Sequence, residues 1–277
     1  MEPISSRKGT PDTPLNPKRP TDLRGVMSTR PAALDHAIAA TVRELGDTRA
    51  RPNPTWLAGL LGLPSRDLAP WLAEIPALAP LERALRRAQE EGGRRFYAQF
   101  RAPFELYVMT RAQRPRHVIE TGVSSGVSSV HFLAGLRRNR RGTLHSIDRP
   151  EVQATATLSR GESPVSVPPG RSSGWAIPPR YRSGWDLCLG LSQDLLPPLV
   201  REVPSVDLFL HDSLHTPAHL TFELETIRPK LRPGSIVMAD NTKWTGKAFP
   251  RFARSLGAKV WRRGASDLVG LRVPEPL

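Results

Sequence analysis

The chain has 277 residues, enough for one large α/β domain with a smaller appendage and too few for two full enzymes. Hydrophobic residues make up 39% and charged residues 24%, which excludes wholesale disorder, and a single cysteine, Cys188, excludes a disulfide scaffold or a cysteine-rich zinc module. The 40 Lys and Arg against 26 Asp and Glu leave a formal charge of +14, so a nucleic-acid partner has to be considered, but the basic residues lack the aromatic interleaving of single-strand binders.

No apolar run is long enough for a bilayer, and the first residues lack the apolar segment of a secretory signal; the expected setting is a reducing cytoplasm. Residues 1–31 are polar, basic, Pro-rich and without period, and read as a disordered arm. Residues 32–114 read as a helical region. Leu34, Ile38, Val42 and Leu45 form one amphipathic stripe, and further helices are expected over 54–61, 66–73, 81–91 and 96–111. This region is a candidate cap or dimerisation element.

From residue 115 to 277 the period changes. Short apolar runs at 117–120 (HVIE), 143–148 (TLHSID), 186–189 (DLCL), 206–210 (VDLFL) and 235–239 (SIVMA) read as strands. Helices are expected over 128–138 and 217–231, and 258–261 with 267–273 as a terminal hairpin. Strands alternating with helices predict an α/β, Rossmann-like, doubly wound and mostly parallel sheet with an antiparallel C-terminal hairpin. The Pro/Gly/Ser-rich stretch 164–184 is too long for an ordinary connection and is expected to cover a site.

The strand ends carry the chemistry. HVIE runs into TGVSSGVS, where Gly122 and Gly126 allow close backbone approach and the following helix start offers N–H donors to an anion. The spacing is not that of a dinucleotide loop. Asp148 closes the second strand, where such folds place an acid on a ribose diol. The fourth strand leads to His211-Asp212-Ser213-Leu214-His215 and the fifth to Asp240-Asn241. Two carboxylates and an amide oxygen suit Mg²⁺ completed by water and substrate. His211, His215 and His219 at successive i+4 spacings are a weaker zinc candidate, because Pro217 interrupts them. Cys188 reads as a small buried hydrophobe and Trp175 as a loop anchor or a wall for adenine. Arg137, Arg138, Arg140 and Arg141 read as solvated charge at a helix end, with phosphate contact as the alternative.

Residues 117–256 resemble class I S-adenosylmethionine-dependent methyltransferases, within them the catechol O-methyltransferase-like and bacterial small-molecule O-methyltransferase branches. ETGVSSGVSS resembles the cofactor loop, LHSID the ribose acid, GLSQDLLPPL the adenine segment, and DLFLHDSLH with VMADN the metal segments. The resemblance implies Gly122 and Ser128 near the methionine moiety, Asp148 on the ribose, and Ser192 and Gln193 near the adenine. It adds Glu120, Ser124, Gly126, Gly190 and Asp212 to the cofactor contacts, and implies Asp212, Asp240 and Asn241 as Mg²⁺ ligands. His215 stands where the catechol enzymes have a basic lysine, and a neutral imidazole, of ordinary pKa about 6.5, could take a hydroxyl proton there. The implied reaction is O-methylation of a small-molecule hydroxyl. Metal-free transfer to a sugar or an amine, and a nucleic-acid-associated role, are the alternatives. Nucleic acid is not the favoured partner, no membrane is expected, and a homodimer stays open.

Overall fold

A computed structural model describes residues 32–45, 51–93, 100–149, 167–264 and 266–275; the expected arm over 1–31 lies outside them. Seven strands form one sheet: β1 (His117–Thr121), β2 (Thr143–Asp148), β3 (Trp185–Leu189), β4 (Leu208–His211), β5 (Ile236–Ala239), β6 (Val260–Arg262) and β7 (Val269–Arg272). Their order is β3-β2-β1-β4-β5-β7-β6. The first five run parallel, and β7 is antiparallel to both β5 and β6, which is the expected terminal hairpin.

The period of two along each strand sorts the core into two faces. Val118, Leu144, Leu208, Leu210, Ile236 and Met238 point to one side. There they meet α1 (Ala32–Leu45), α2 (Pro54–Leu61), α4 (Ala79–Gly92), α5 (Pro103–Gln113) and α6 (Val127–Asn139) through residues such as Ile38, Leu57, Leu85, Phe104 and Leu133, with α3 (Ala69–Leu72) adding Leu72. Ile119, Ile147, Phe209, Val237 and Ala239 point to the other side, onto α7 (Ser192–Glu202), α8 (Pro217–Ile227) and α9 (Ala248–Ser255).

The N-terminal helices therefore share a core with the sheet. Polar ties fasten them to its far end. Trp56 Nε1 donates to the Trp261 carbonyl (3.1 Å), and the buried Glu105 carboxylate accepts from Arg263 Nε (2.6 Å) and from the Asn53 N–H (3.0 Å). Asn53 also caps α2 by accepting from the Trp56 N–H.

The helix expected over 66–73 is instead a 3-10 turn, Ser65–Leu68, running into α3. Part of the segment expected to be helical over 96–111 lies outside the described residues, and α5 starts at Pro103. The α7 helix was not read from the sequence, because Pro197 and Pro198 sit inside it and disguise its apolar face of Leu196 and Val200. The α9 helix is eight residues long, too short for its Phe249, Phe252 and Ala253 spacing to stand out.

Candidate functional site

The chain reverses direction of travel across the sheet between β1 and β4, so the carboxyl ends of the parallel strands open a crevice there. The candidate residues lie at or just beyond those ends. The end of β1 and its loop are held between β2 and β4: Gly122 N–H donates to the Ile147 carbonyl (2.9 Å) and Asp212 N–H to the Thr121 carbonyl (2.8 Å). Gly122 has φ +88°, and a Cβ on it would lie 1.9 Å from the Asp212 carbonyl oxygen. Only glycine fits.

Ser124, also in the left-handed region at φ +50°, donates its N–H to Asp148 Oδ2 (3.1 Å), so the β2 acid holds the β1 loop in place. At Gly126 a Cβ would come within 2.5 Å of Ile177 and 3.0 Å of the Gly174 Cα. The end of the long connection, residues 173–177, lies across this loop. Gly174 N–H donates to the Ser124 carbonyl (2.8 Å) and Ala176 N–H to the Ser125 carbonyl (3.2 Å). Gly126 thus makes room for this strap. Residues 150–166 of the connection lie outside the described residues. Trp175 is buried against Gly92 with Arg171 over its ring, which makes it a loop anchor.

Glu120 is fully buried on β1 and accepts hydrogen bonds from Ser128 Oγ (2.5 Å), Ser129 Oγ (2.6 Å) and Ser146 Oγ (2.9 Å). Burial pushes its carboxyl up to about 7; the three hydroxyls pull the other way and the charge of Asp212 adds to the rise. The Ser128 hydroxyl is committed to this carboxylate.

At the end of β3, Gly190 N–H donates to the Asp148 carbonyl (2.9 Å). The flanking Leu189 and Leu191 are 51% and 40% exposed, the two large hydrophobic side chains left open among the described residues. Ser192 opens α7 and is buried, its Oγ 3.0 Å from His219 Nε2, while Gln193 beside it is exposed.

Beyond β4 and β5, Asp212, Asp240, Asn241 and His215 converge. His215 is buried, with Nε2 3.4 Å from Asp212 Oδ1 and 3.5 Å from Asn241 Nδ2. Its ring stands edge-on to His211 at 5.4 Å and lies 5.9 Å from Trp244. Burial and then the like charge of Asp212 push the Asp240 carboxyl up to about 6, with the Asn241 N–H, His215 and Arg101 offsetting part of that. Two carboxylates that raise one another's cost of ionisation form a site a small cation would relieve. The donor set of Asp212, Asp240 and an Asn241 oxygen therefore fits a hard divalent cation. Among the described residues no group of three or more His, Cys, Asp and Glu is disposed to hold a metal.

The three histidines do not make a zinc site. His211 Nδ1 and His219 Nε2 lie 2.7 and 2.9 Å from the two oxygens of Glu223, which also accepts from Thr121 Oγ (2.8 Å) and Ser213 Oγ (3.0 Å). Burial by itself would raise the Glu223 carboxyl, but the two histidines overcome it and hold the carboxyl well below its ordinary range. Burial pushes His211 down, which suits a neutral ring donating Nδ1–H to an ionised Glu223. Glu223 was not singled out in the sequence. Its signal was an acid, one turn after His219, within the apolar stripe of Leu220, Leu224 and Ile227 on α8.

Residues 119–242 match the sequence model of a family described as a methyltransferase domain. No curated protein matches the chain. Among solved structures, the O-methyltransferase TomG from Streptomyces achromogenes is 18% identical, covering 69% of this chain and 90% of that one at a TM-score of 0.49. The methyltransferase PaMTH1 from Podospora anserina is 15% identical, covering 69% and 88% at 0.47. The calicheamicin methyltransferase CalS11 is 20% identical, covering 94% and 100% at 0.46.

Proposed function

We propose that this chain is a class I S-adenosylmethionine-dependent methyltransferase of the O-methyltransferase-like kind and that it methylates a hydroxyl of a small molecule with the help of a divalent cation. The observation that carries the reading is the convergence of the β1 loop, Asp148, Gly190 and the Asp212–His215–Asp240–Asn241 cluster on one rim of the sheet.

In this reading the N-terminus of α6 faces the cofactor's carboxylate and Asp148 takes the ribose hydroxyls. Leu189 and Leu191 offer apolar surface to the adenine beside the Ser192–Gln193 start of α7. Asp212, Asp240 and Asn241 would hold Mg²⁺, which when bound lowers the pKa of a coordinated hydroxyl and orients it. His215, whose Nε2 lies 3.4 Å from Asp212 Oδ1, accepts the hydroxyl proton, and the Asp212 charge stabilises the imidazolium that forms. The acceptor oxygen then bonds to the methyl carbon as the carbon–sulfur bond breaks and its electron pair goes to sulfur. Trp244, next to His215, walls the acceptor side.

The test is calorimetric titration of S-adenosylhomocysteine, then of Mg²⁺, into the parent and into Asp240→Asn. Cofactor binding equal in both proteins with Mg²⁺ binding lost in the variant supports the reading. No cofactor binding overturns it altogether. Methyl transfer that persists in chelator, together with an unaffected Asp240→Asn, would leave a metal-free transferase in which His215 works with Asp212 alone.

A further inference from the structure

The opposite edge of the sheet carries a second feature, unrelated to the crevice. α5 ends at the entry to β1 and α6 at the entry to β2, so both helix C-termini lie where the strands begin. There Thr143 N–H donates to the Arg116 carbonyl, and Leu144 N–H to the Gly184 carbonyl just before β3, so three connections are bound side by side. They bring together Arg114, Arg116, Arg137, Arg138, Arg140 and Arg141, all exposed. Arg180 joins them, since its carbonyl accepts from the Arg137 guanidinium (3.4 Å).

Acids do little to neutralise this edge. Glu74 lies near Arg138, but its carboxylate is bound by Arg111 in two hydrogen bonds. Asp207 accepts the N–H groups of Arg116 and His117, and Asp186 pairs with His145. Among the described residues none of the seven arginines is ion-paired to an acid. Farther along the same edge Lys230, Arg232 and Arg272 donate to main-chain carbonyls, as Arg137 does to that of Arg180.

The backbone adds an independent observation. Arg114 and Arg140 are the C-caps of α5 and α6, at φ +49° and +53°. That left-handed cap is the natural place for glycine, and an arginine there is strained. Both neighbouring helices carry a strained, charged residue at this cap. The helix dipole accounts for cations within the last turn, Arg137 and Arg138, but not for the choice of arginine over glycine at the caps.

We infer that this arginine edge binds nucleic acid through its phosphates. Guanidinium groups suit phosphate because they can engage it in two parallel hydrogen bonds. An anionic membrane is the poorer match, because the large exposed hydrophobics of the described residues, Leu189 and Leu191, lie at the opposite ends of the strands and leave this edge without an apolar anchor.

The test is fluorescence anisotropy of the full chain with a labelled oligonucleotide of about 25 residues, as RNA and as DNA, across a salt series. The expected result is affinity falling steeply with salt, and a weakening of about tenfold or more with a shallower salt slope in Arg114→Gly/Arg140→Gly. That variant removes two charges and relieves two strained caps, so it folds at least as well as the parent, which a melting curve checks. Arg251→Gln/Arg254→Gln on α9 should bind like the parent. Equal binding by the cap variant, equal loss in the α9 control, or tighter capture by vesicles of anionic phospholipid would each overturn the inference.

Discussion

His211 Nδ1 lies 2.7 Å from Glu223 Oε2, and solvent reaches neither side chain. This contact ties the end of β4, directly before Asp212, to the middle of α8. It fixes the floor beneath the Asp212–His215 cluster.

Replacing Glu223 by Ala strands His211, His219, Ser213 and Thr121 around a cavity and is expected to cost about 3 kcal/mol of stability. Because the folded-state pKa of Glu223 is depressed, its contribution is complete above the ordinary carboxylate value and is lost as pH falls below it. Urea unfolding at pH 7 and pH 4 is the measurement. A parent-to-variant gap that does not narrow in acid would contradict the ionised-carboxylate picture.

Glu120 shows the opposite sign. Its carboxyl is raised from 4.5 to about 7, so the folded state keeps a proton that the unfolded chain has released between those values. Its own contribution to stability is therefore greatest below 4.5, falls through that window and levels off above 7, by about 3 kcal/mol in all. Glu120→Gln should melt higher than the parent at pH 8 and nearly with it at pH 4. Parallel melting-against-pH curves for the two proteins would refute the assignment.

Gly126→Ala meets both a positive φ and the Ile177 side chain, and is expected to lose about 2 kcal/mol or more. Adding Ile177→Ala relieves only part of the loss, since the Gly174 Cα and the backbone strain remain. Complete recovery in the double variant would mean that strap packing alone dictates glycine here.

Asp148→Asn keeps an oxygen able to accept from the Ser124 N–H while removing the charge. Its melting temperature should stay close to the parent's, with cofactor affinity reduced by about 1–3 kcal/mol, the scale for losing a charged hydrogen-bond partner. Unchanged affinity by calorimetry would remove Asp148 from the ribose role.

The parallel part of the sheet is legible in the sequence because its five strands are short, apolar-rich runs closed by Gly, Asp or His, and that pattern depends only on local alternation. That the β1 loop, Asp148, Asp212, Asp240 and Asn241 lie at one edge of the sheet follows from the sequence for a related reason. A parallel sheet sends every strand end to the same edge, so residues far apart in sequence must meet there. Tertiary structure alone decided the rest. Gly126 reads like a ligand-contacting glycine, yet its open side is filled by a strap about 50 positions downstream, and no local rule encodes that packing. Glu223 reads as an ordinary helical acid until α8 packs against β4 and the two histidines reach its oxygens. The arginines at 114–116 and 137–141 are scattered charge in the sequence. They become one surface because α5 and α6 end at the same sheet edge, and Coulomb fields add by distance in space, not along the chain.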